Sequence, residues 1–206
     1  MLFRSTFRGG NGADYKLESF KSGLRENMVP GTADAVVTAA SADEAASLAA
    51  SFETFIKQEA KISGNAELSD KTVTFHVVGK GAHGASPQSG INAATFLATF
   101  LNDYSFAEGA YSFINTIAEF IHEDFYGEKL GVAFEDEKMG KLTMNAGIVN
   151  FDPENPENSL VTLNFRYPKG TSAEELQAKV QATVGETVTA TQGDRNQEPH
   201  YVRSEE

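Results

Sequence analysis

The side chains that could do chemistry fall in three places. The richest is Val77-Val78-Gly79-Lys80-Gly81-Ala82-His83-Gly84-Ala85-Ser86-Pro87-Gln88-Ser89-Gly90-Ile91-Asn92-Ala93. Glycines on either side of His83 strip away bulk, so the imidazole and its backbone can approach a ligand closely. A neutral imidazole donates one hydrogen bond and can stabilise an oxyanion without a metal. The plainer alternative is a histidine in an ordinary turn. Gly79, Gly81 and Gly84 also satisfy G-x-G-x-x-G, with Asp103 19 residues beyond Gly84. A dinucleotide site, however, needs its helix to begin within the glycines, so that the first N–H groups meet the pyrophosphate. Pro87 and Gly90 delay the helix, and no parallel strand follows, which makes the match accidental. The second place is Asn27, in the connection Gly23-Leu24-Arg25-Glu26-Asn27-Met28-Val29-Pro30-Gly31, where an Asn commonly forms a turn or a cap. The third is Arg166, on a strand where Val161, Leu163 and Phe165 face one way and Thr162, Asn164 and Arg166 the other. It is either a solvent-face arginine or a fork that grips a carboxylate at two points.

Metal chemistry within this chain is not expected. There is no cysteine, which excludes thiolate zinc sites, iron–sulfur clusters, disulfides and cysteine nucleophiles. The 4 histidines, His76, His83, His122 and His200, are widely spread, with no H-E-x-x-H or H-x-H pair. His76 alternates with apolar neighbours in a strand, and His122 falls on the polar side of a helix, so both read as structural or solvated. The acidic run 135–137 and the turn 152–157 read as solvated loops; the latter lacks the spacing of a calcium loop.

The elements that must position these groups follow from hydrophobic period. Strands are expected over 15–22, 33–39, 72–78, 141–151, 160–167 and 186–191. A helix opens at Ser41, which forms a capping box with Glu44 and buries Leu48, Phe52, Phe55 and Ile56. Polar residues 63–71 close it. Helices follow over 91–101 and 111–125. A last, short one with Leu176 and Val180 opens at a possible capping box of Thr171 with Glu174. The order strand–strand–helix–strand thus occurs twice, around a helical middle. The expected class is α+β: a mainly antiparallel sheet with helices on one face, made of two ferredoxin-like strand–strand–helix–strand subdomains.

Composition sets the remaining limits. The 206 residues carry 17 Lys and Arg against 29 Asp and Glu, a charge of −12, with 40% hydrophobic residues. That suffices for a real core. The acidic balance lacks the basic footprint of general nucleic-acid binding. No apolar run approaches the ~20 residues that cross a bilayer, and no basic start precedes an apolar stretch, so neither membrane nor export is expected and the location is cytoplasmic.

Three motifs carry a resemblance. Gly79-Lys80-Gly81-Ala82-His83-Gly84-Ala85-Ser86-Pro87, followed by Gly90-Ile91-Asn92-Ala93, resembles the lid-domain signature of the di-zinc metallopeptidases that include carnosinases, aminoacylases and bacterial dipeptidases. Asn27-Met28-Val29-Pro30 and Asn164-Phe165-Arg166-Tyr167-Pro168 resemble two further lid segments of the PepV-type dipeptidase branch, and the likeness runs from about Tyr15 to Val202. The resemblance implies that His83 stabilises the carbonyl oxygen as it becomes an oxyanion. It implies that Arg166 holds the substrate's C-terminal carboxylate and that Asn27 helps to bind the same end. The family's two zinc ions lie in a separate catalytic domain, whose H-x-D motif and Glu-Glu pair have no counterpart here; Glu174-Glu175 opens a helix, and Glu205-Glu206 is terminal. The chain 1–206 is therefore expected to be a lid, with approximate subdomains 15–84 plus a helical segment 85–140, and 141–202. Its partners would be the catalytic domain of the same polypeptide and a dipeptide, it would bind no metal itself, and alone it would be inactive. The competing expectation is a stand-alone α+β binding or dimerisation module without catalysis.

Overall fold

A computed structural model describes residues 14–199; His200, Glu205-Glu206 and the ends of the 1–206 and 141–202 segments lie outside them. Along the chain come β1 (Tyr15–Ser22), β2 (Met28–Val29), β3 (Thr32–Ala39), α1 (Ala42–Gln58), β4 (Ser63–Ser69), β5 (Thr72–Val78) and β6 (Ala82–His83). These are followed by α2 (Ala93–Leu101), α3 (Glu108–Phe120), β7 (Glu135–Asp136), β8 (Gly140–Lys141), β9 (Thr143–Phe151), β10 (Leu160–Arg166) and α4 (Ala173–Val184). Six strands form one antiparallel sheet in the order β10-β9-β1-β3-β5-β4. The α+β class and the helices on one face agree with the periodicity. The two strand–strand–helix groups share this single sheet through the β1–β9 pairing.

Alternation explains the sheet. Ala33, Ala35 and Val37 of β3 and Val73, Phe75 and Val77 of β5 are fully buried, while the residues between them are not. Ser41 caps α1 as its sequence implies, accepting from the Glu44 N–H while its hydroxyl donates to the Glu44 carboxylate. In α2 only Thr99 escapes burial, because the helix packs on β3 and β5 on one side and on α3 on the other.

Two elements differ from expectation. Residues 63–71 do not merely close α1: seven of them form β4, joined to β5 by the two-residue turn Asp70-Lys71, with Asp70 in the left-handed region at φ 52°. β4 is an edge strand with mostly exposed side chains, so it has no apolar alternation to detect. Conversely, 186–191 forms no strand. Val188 and Ala190 are buried, but the side chains of α4 replace a ladder. The Gln181 amide donates to the Gly185 and Val188 carbonyls (2.7 and 2.9 Å) and accepts from the Ala190 N–H (2.8 Å), and the Gln177 amide donates to the Ala190 carbonyl. α4 is capped by Ser172, not Thr171: Ser172 accepts from the Glu175 N–H, and Thr171 instead donates to the Glu175 carboxylate. The acidic run 135–137 enters a small β7–β8 hairpin. His122 lies beyond the end of α3 and is more enclosed than a polar-face residue would be, with a side chain only 18% exposed.

Candidate functional site

The glycine-rich stretch is used up in backbone pairing. Gly79 N–H donates to the Gly31 carbonyl, and Lys80 and Ile91 exchange two hydrogen bonds of 2.9 and 2.8 Å. α2 begins only at Ala93, capped by Asn92. The amides of Gly79 and Lys80 are thus committed to carbonyls rather than presented to a phosphate.

What this pairing builds is a short ribbon, β2 against β6, with Met28 opposite His83 and Val29 opposite Ala82. Gly84 N–H donates to the Asn27 carbonyl at 2.8 Å. A side chain at Gly84 would stand 2.9 Å from that carbonyl oxygen and 3.4 Å from Asn164 Oδ1, so the ribbon packs directly on the Asn164 side chain of β10. His83 and Asn27 therefore belong to one ribbon, and Arg166 closes the strand that it touches, opposite Thr143 of β9.

All three candidate side chains are exposed. His83 Nδ1 accepts a hydrogen bond from the Ala85 N–H at 3.2 Å. In the neutral ring this puts the proton on Nε2, which is then a donor. Arg166 has no ion-pair partner among the described residues, and Asn27 offers an amide with no side-chain hydrogen bond among them. The arrangement can supply one neutral donor, one guanidinium and one amide to a ligand.

The supports were less visible in sequence. Asn145, 4% exposed as the third residue of β9 and paired with Asn164, donates to the Met28 carbonyl at 2.9 Å and reaches the Glu26 carbonyl at 3.5 Å. Asn92 caps α2 with its oxygen and donates through its nitrogen to the Ala146 carbonyl at 3.0 Å. The oxygens of Thr143 and Asn164 are buried with no hydrogen-bond partner. The signal for these residues was polar side chains inside an otherwise apolar strand, Thr143-Met144-Asn145-Ala146, a pattern that costs free energy unless it is satisfied.

A cleft of about 270 Å³ adjoins the ribbon, lined by Val29, Asn92, Thr95, Phe96, Met144 and Asn145 among others. None of His83, Asn27 and Arg166 lines it. Lys61 and Glu123, also in its wall, form an ion pair that holds the Glu123 carboxyl below its ordinary range and the Lys61 ammonium above its own. Beside it, His122 Nδ1 meets Thr95 Oγ1 at 3.0 Å, and burial pushes the imidazole pKa down. Among the described residues no three His, Asp or Glu side chains gather as metal ligands must.

Comparison with known proteins gives this geometry a family. The model of the peptidase dimerisation domain matches residues 69–191, more than half of the chain. The beta-Ala-Xaa dipeptidase of Lactobacillus delbrueckii subsp. lactis is 36% identical over 189 residues, covering 92% of this chain and 39% of that protein. Putative dipeptidases of Staphylococcus saprophyticus and Staphylococcus epidermidis are 30% and 31% identical, covering 94% and 92% of the chain and 40% and 39% of their own lengths. The chain thus spans about two-fifths of the curated relatives it matches. With its antiparallel sheet, one-sided helices and His83 ribbon, the chain belongs to the peptidase dimerisation domain family of the M20 type.

Proposed function

We propose that this domain is the substrate-binding and oxyanion-stabilising lid of a zinc-dependent dipeptidase. The observation that carries the reading is His83: its Nδ1 is occupied by the Ala85 N–H, which leaves Nε2–H as an exposed donor on the ribbon that also bears Asn27. A donor held ready before reaction stabilises developing negative charge at little reorganisation cost. Arg166 would fork onto the free C-terminal carboxylate of a dipeptide, and the Asn27 amide would bind the same end. The described residues offer zinc no ligand set. The two zinc ions of such an enzyme belong to its catalytic domain, and this chain contributes binding, charge stabilisation and, on closing, exclusion of water.

The partners in this reading are the catalytic domain of the same polypeptide and the dipeptide itself. The subdomains would be 15–84 with the helical segment 85–140, and 141–202, meeting at the β1–β9 pairing, with the second lacking the last strand of a ferredoxin-like unit because 186–191 bonds to α4 side chains instead. No helix among the described residues is long and apolar enough to cross a membrane. A cysteine-free acidic chain suits the cytoplasm.

The test is His83→Ala in the full-length enzyme. Turnover of a dipeptide should fall about 10²–10³-fold, the usual loss for an oxyanion donor. The unfolding temperature should hardly move, since the side chain is exposed. Turnover within a few-fold of wild type rejects the reading.

A further inference from the structure

We infer that Asn145 is a positioning residue for Asn27 and His83, the point at which β9 sets the distance between the ribbon and the strand that carries Arg166. The inference rests on the lid reading and extends it to a residue that touches no substrate.

Three successive carbonyls flank and include Asn27, and each is held. The Asn27 carbonyl accepts from Gly84 N–H, while those of Met28 and Glu26 face the Asn145 amide at 2.9 and 3.5 Å. The two peptide planes that aim the Asn27 side chain carry the Glu26 and Asn27 carbonyls, which face the Asn145 amide and Gly84 N–H, while the shorter Asn145 bond, to Met28, fixes the plane that follows. The same bonds fix β2, and through the Met28–His83 pairing they fix β6. Asn145 can do this because it is enclosed within the sheet. It is buried, and its partner across the ladder is Asn164, two residues before Arg166.

Its neighbours on β9 act in the same place. Thr162 pairs with Ile148 and Leu163 with Ala146, so the ladder skips Gly147 in a bulge. A side chain at Gly147 would run into the Glu26 carbonyl, so the bulge admits the Asn27 turn at backbone distance. The Ala146 carbonyl takes Asn92, which ends the loop that begins at His83. Residues 145–147 therefore hold both arms of the site, and Asn145 is the only one of them that does so through its side chain.

The experiment is a double-mutant cycle in the full-length enzyme, following kcat and KM for a dipeptide alongside the unfolding temperature. Asn145→Ala should lower kcat/KM about 10–100-fold, through both a lower kcat and a higher KM. In the His83→Ala background the same change should cost less than about threefold in kcat, because the group being positioned is already gone. An Asn145→Ala enzyme within threefold of wild type overturns the inference, and so does an equal loss in both backgrounds. Asn145→Ser, too short to reach the carbonyls, carries the same test if the alanine variant does not fold. If His83→Ala is itself neutral, the lid reading falls. The positioning is then decided on this chain by amide NMR shifts of Asn27, Met28 and Gly84, whose constancy in Asn145→Ser overturns it and whose displacement supports it.

Discussion

The half of the sheet over α1 and the ribbon seated on β9 and β10 are held by opposite kinds of interaction. Under β3 and β5, Phe52 packs edge-on against Phe75 and Phe100 at centroid distances of 4.8 and 5.1 Å, and Phe55, Phe100 and Tyr104 extend the stack. At β9 and β10 the ribbon is fixed by Asn145, Asn92 and backbone N–H groups, with Gly84 and Gly147 permitting contact at backbone distance. Hydrophobic burial is strong but indifferent to direction, so it makes a frame. Hydrogen bonds contribute less net stability each but specify angles, so they can aim an imidazole and an amide. The frame should therefore govern whether the molecule folds, and the ribbon whether it acts.

The largest effect should come from breaking the frame. Phe52→Ala removes a fully buried ring from the aromatic stack and should cost about 3–5 kcal/mol. For a domain of this size that lowers the unfolding temperature by about 6–20 °C. The activity of the molecules that remain folded in the full-length enzyme should stay within a few-fold of wild type; a selective loss of turnover would show that the two halves are not independent. Arg166→Ala should do the reverse. Its side chain is exposed, so the unfolding temperature should change little. Losing a charge-assisted pair worth about 1.5–3 kcal/mol should raise KM for dipeptides with a free carboxylate by about 10–150-fold. Substrates amidated at that end should be unaffected, and equal losses on both would remove Arg166 from carboxylate binding.

The frame was the more legible half in the sequence. Alternation in 33–39 and 72–78 and the 3.6-residue period of Leu48, Phe52 and Phe55 report burial, and burial is what pattern detects. Where side chains bond to backbone, pattern is silent. β4 has no apolar face, and 186–191 has the composition of a strand, yet Gln181 supplies the donors and acceptor that a neighbouring strand would have supplied. His83, Asn27 and Arg166 were singled out by residue type and setting and received roles only through motif resemblance, whereas Asn145 and Gly147 make their contacts with residues more than a hundred positions away in the chain. Gln181→Ala isolates this difference. It should cost about 1–2 kcal/mol by leaving the Ala190 N–H and the Val188 carbonyl without partners. Amide exchange at Ala190 should accelerate well before that of β9, and uniform acceleration would mean that 186–191 is held by Val188 and Ala190 packing instead.

The smallest effect is a pH dependence beside the cleft that adjoins the ribbon. The Thr95 hydroxyl donates to the Asn92 carbonyl, so it accepts from His122 Nδ1–H, and the ring stands edge-on to Phe96 at 4.7 Å. Burial disfavours the imidazolium; Lys129 and Lys61 add to this, while Glu123 and Glu59 oppose it. The folded pKa is therefore below the ordinary 6.5, and as pH falls the unfolded chain takes up this proton first. The stability that His122 contributes is complete above about pH 6.5 and is lost as pH falls toward the lowered folded value. The Glu123 carboxyl, held down by Lys61, acts in a separate window, because its contribution is lost only as pH falls below about 4.5. Between these values the decline in unfolding free energy should carry the His122 signature, and His122→Gln should flatten it while keeping a donor for Thr95. Because the ring keeps some contact with water, the slope should be shallow. An unchanged slope in the variant would assign the decline to other groups and leave Thr95, Asn92 and the cleft indifferent to protonation.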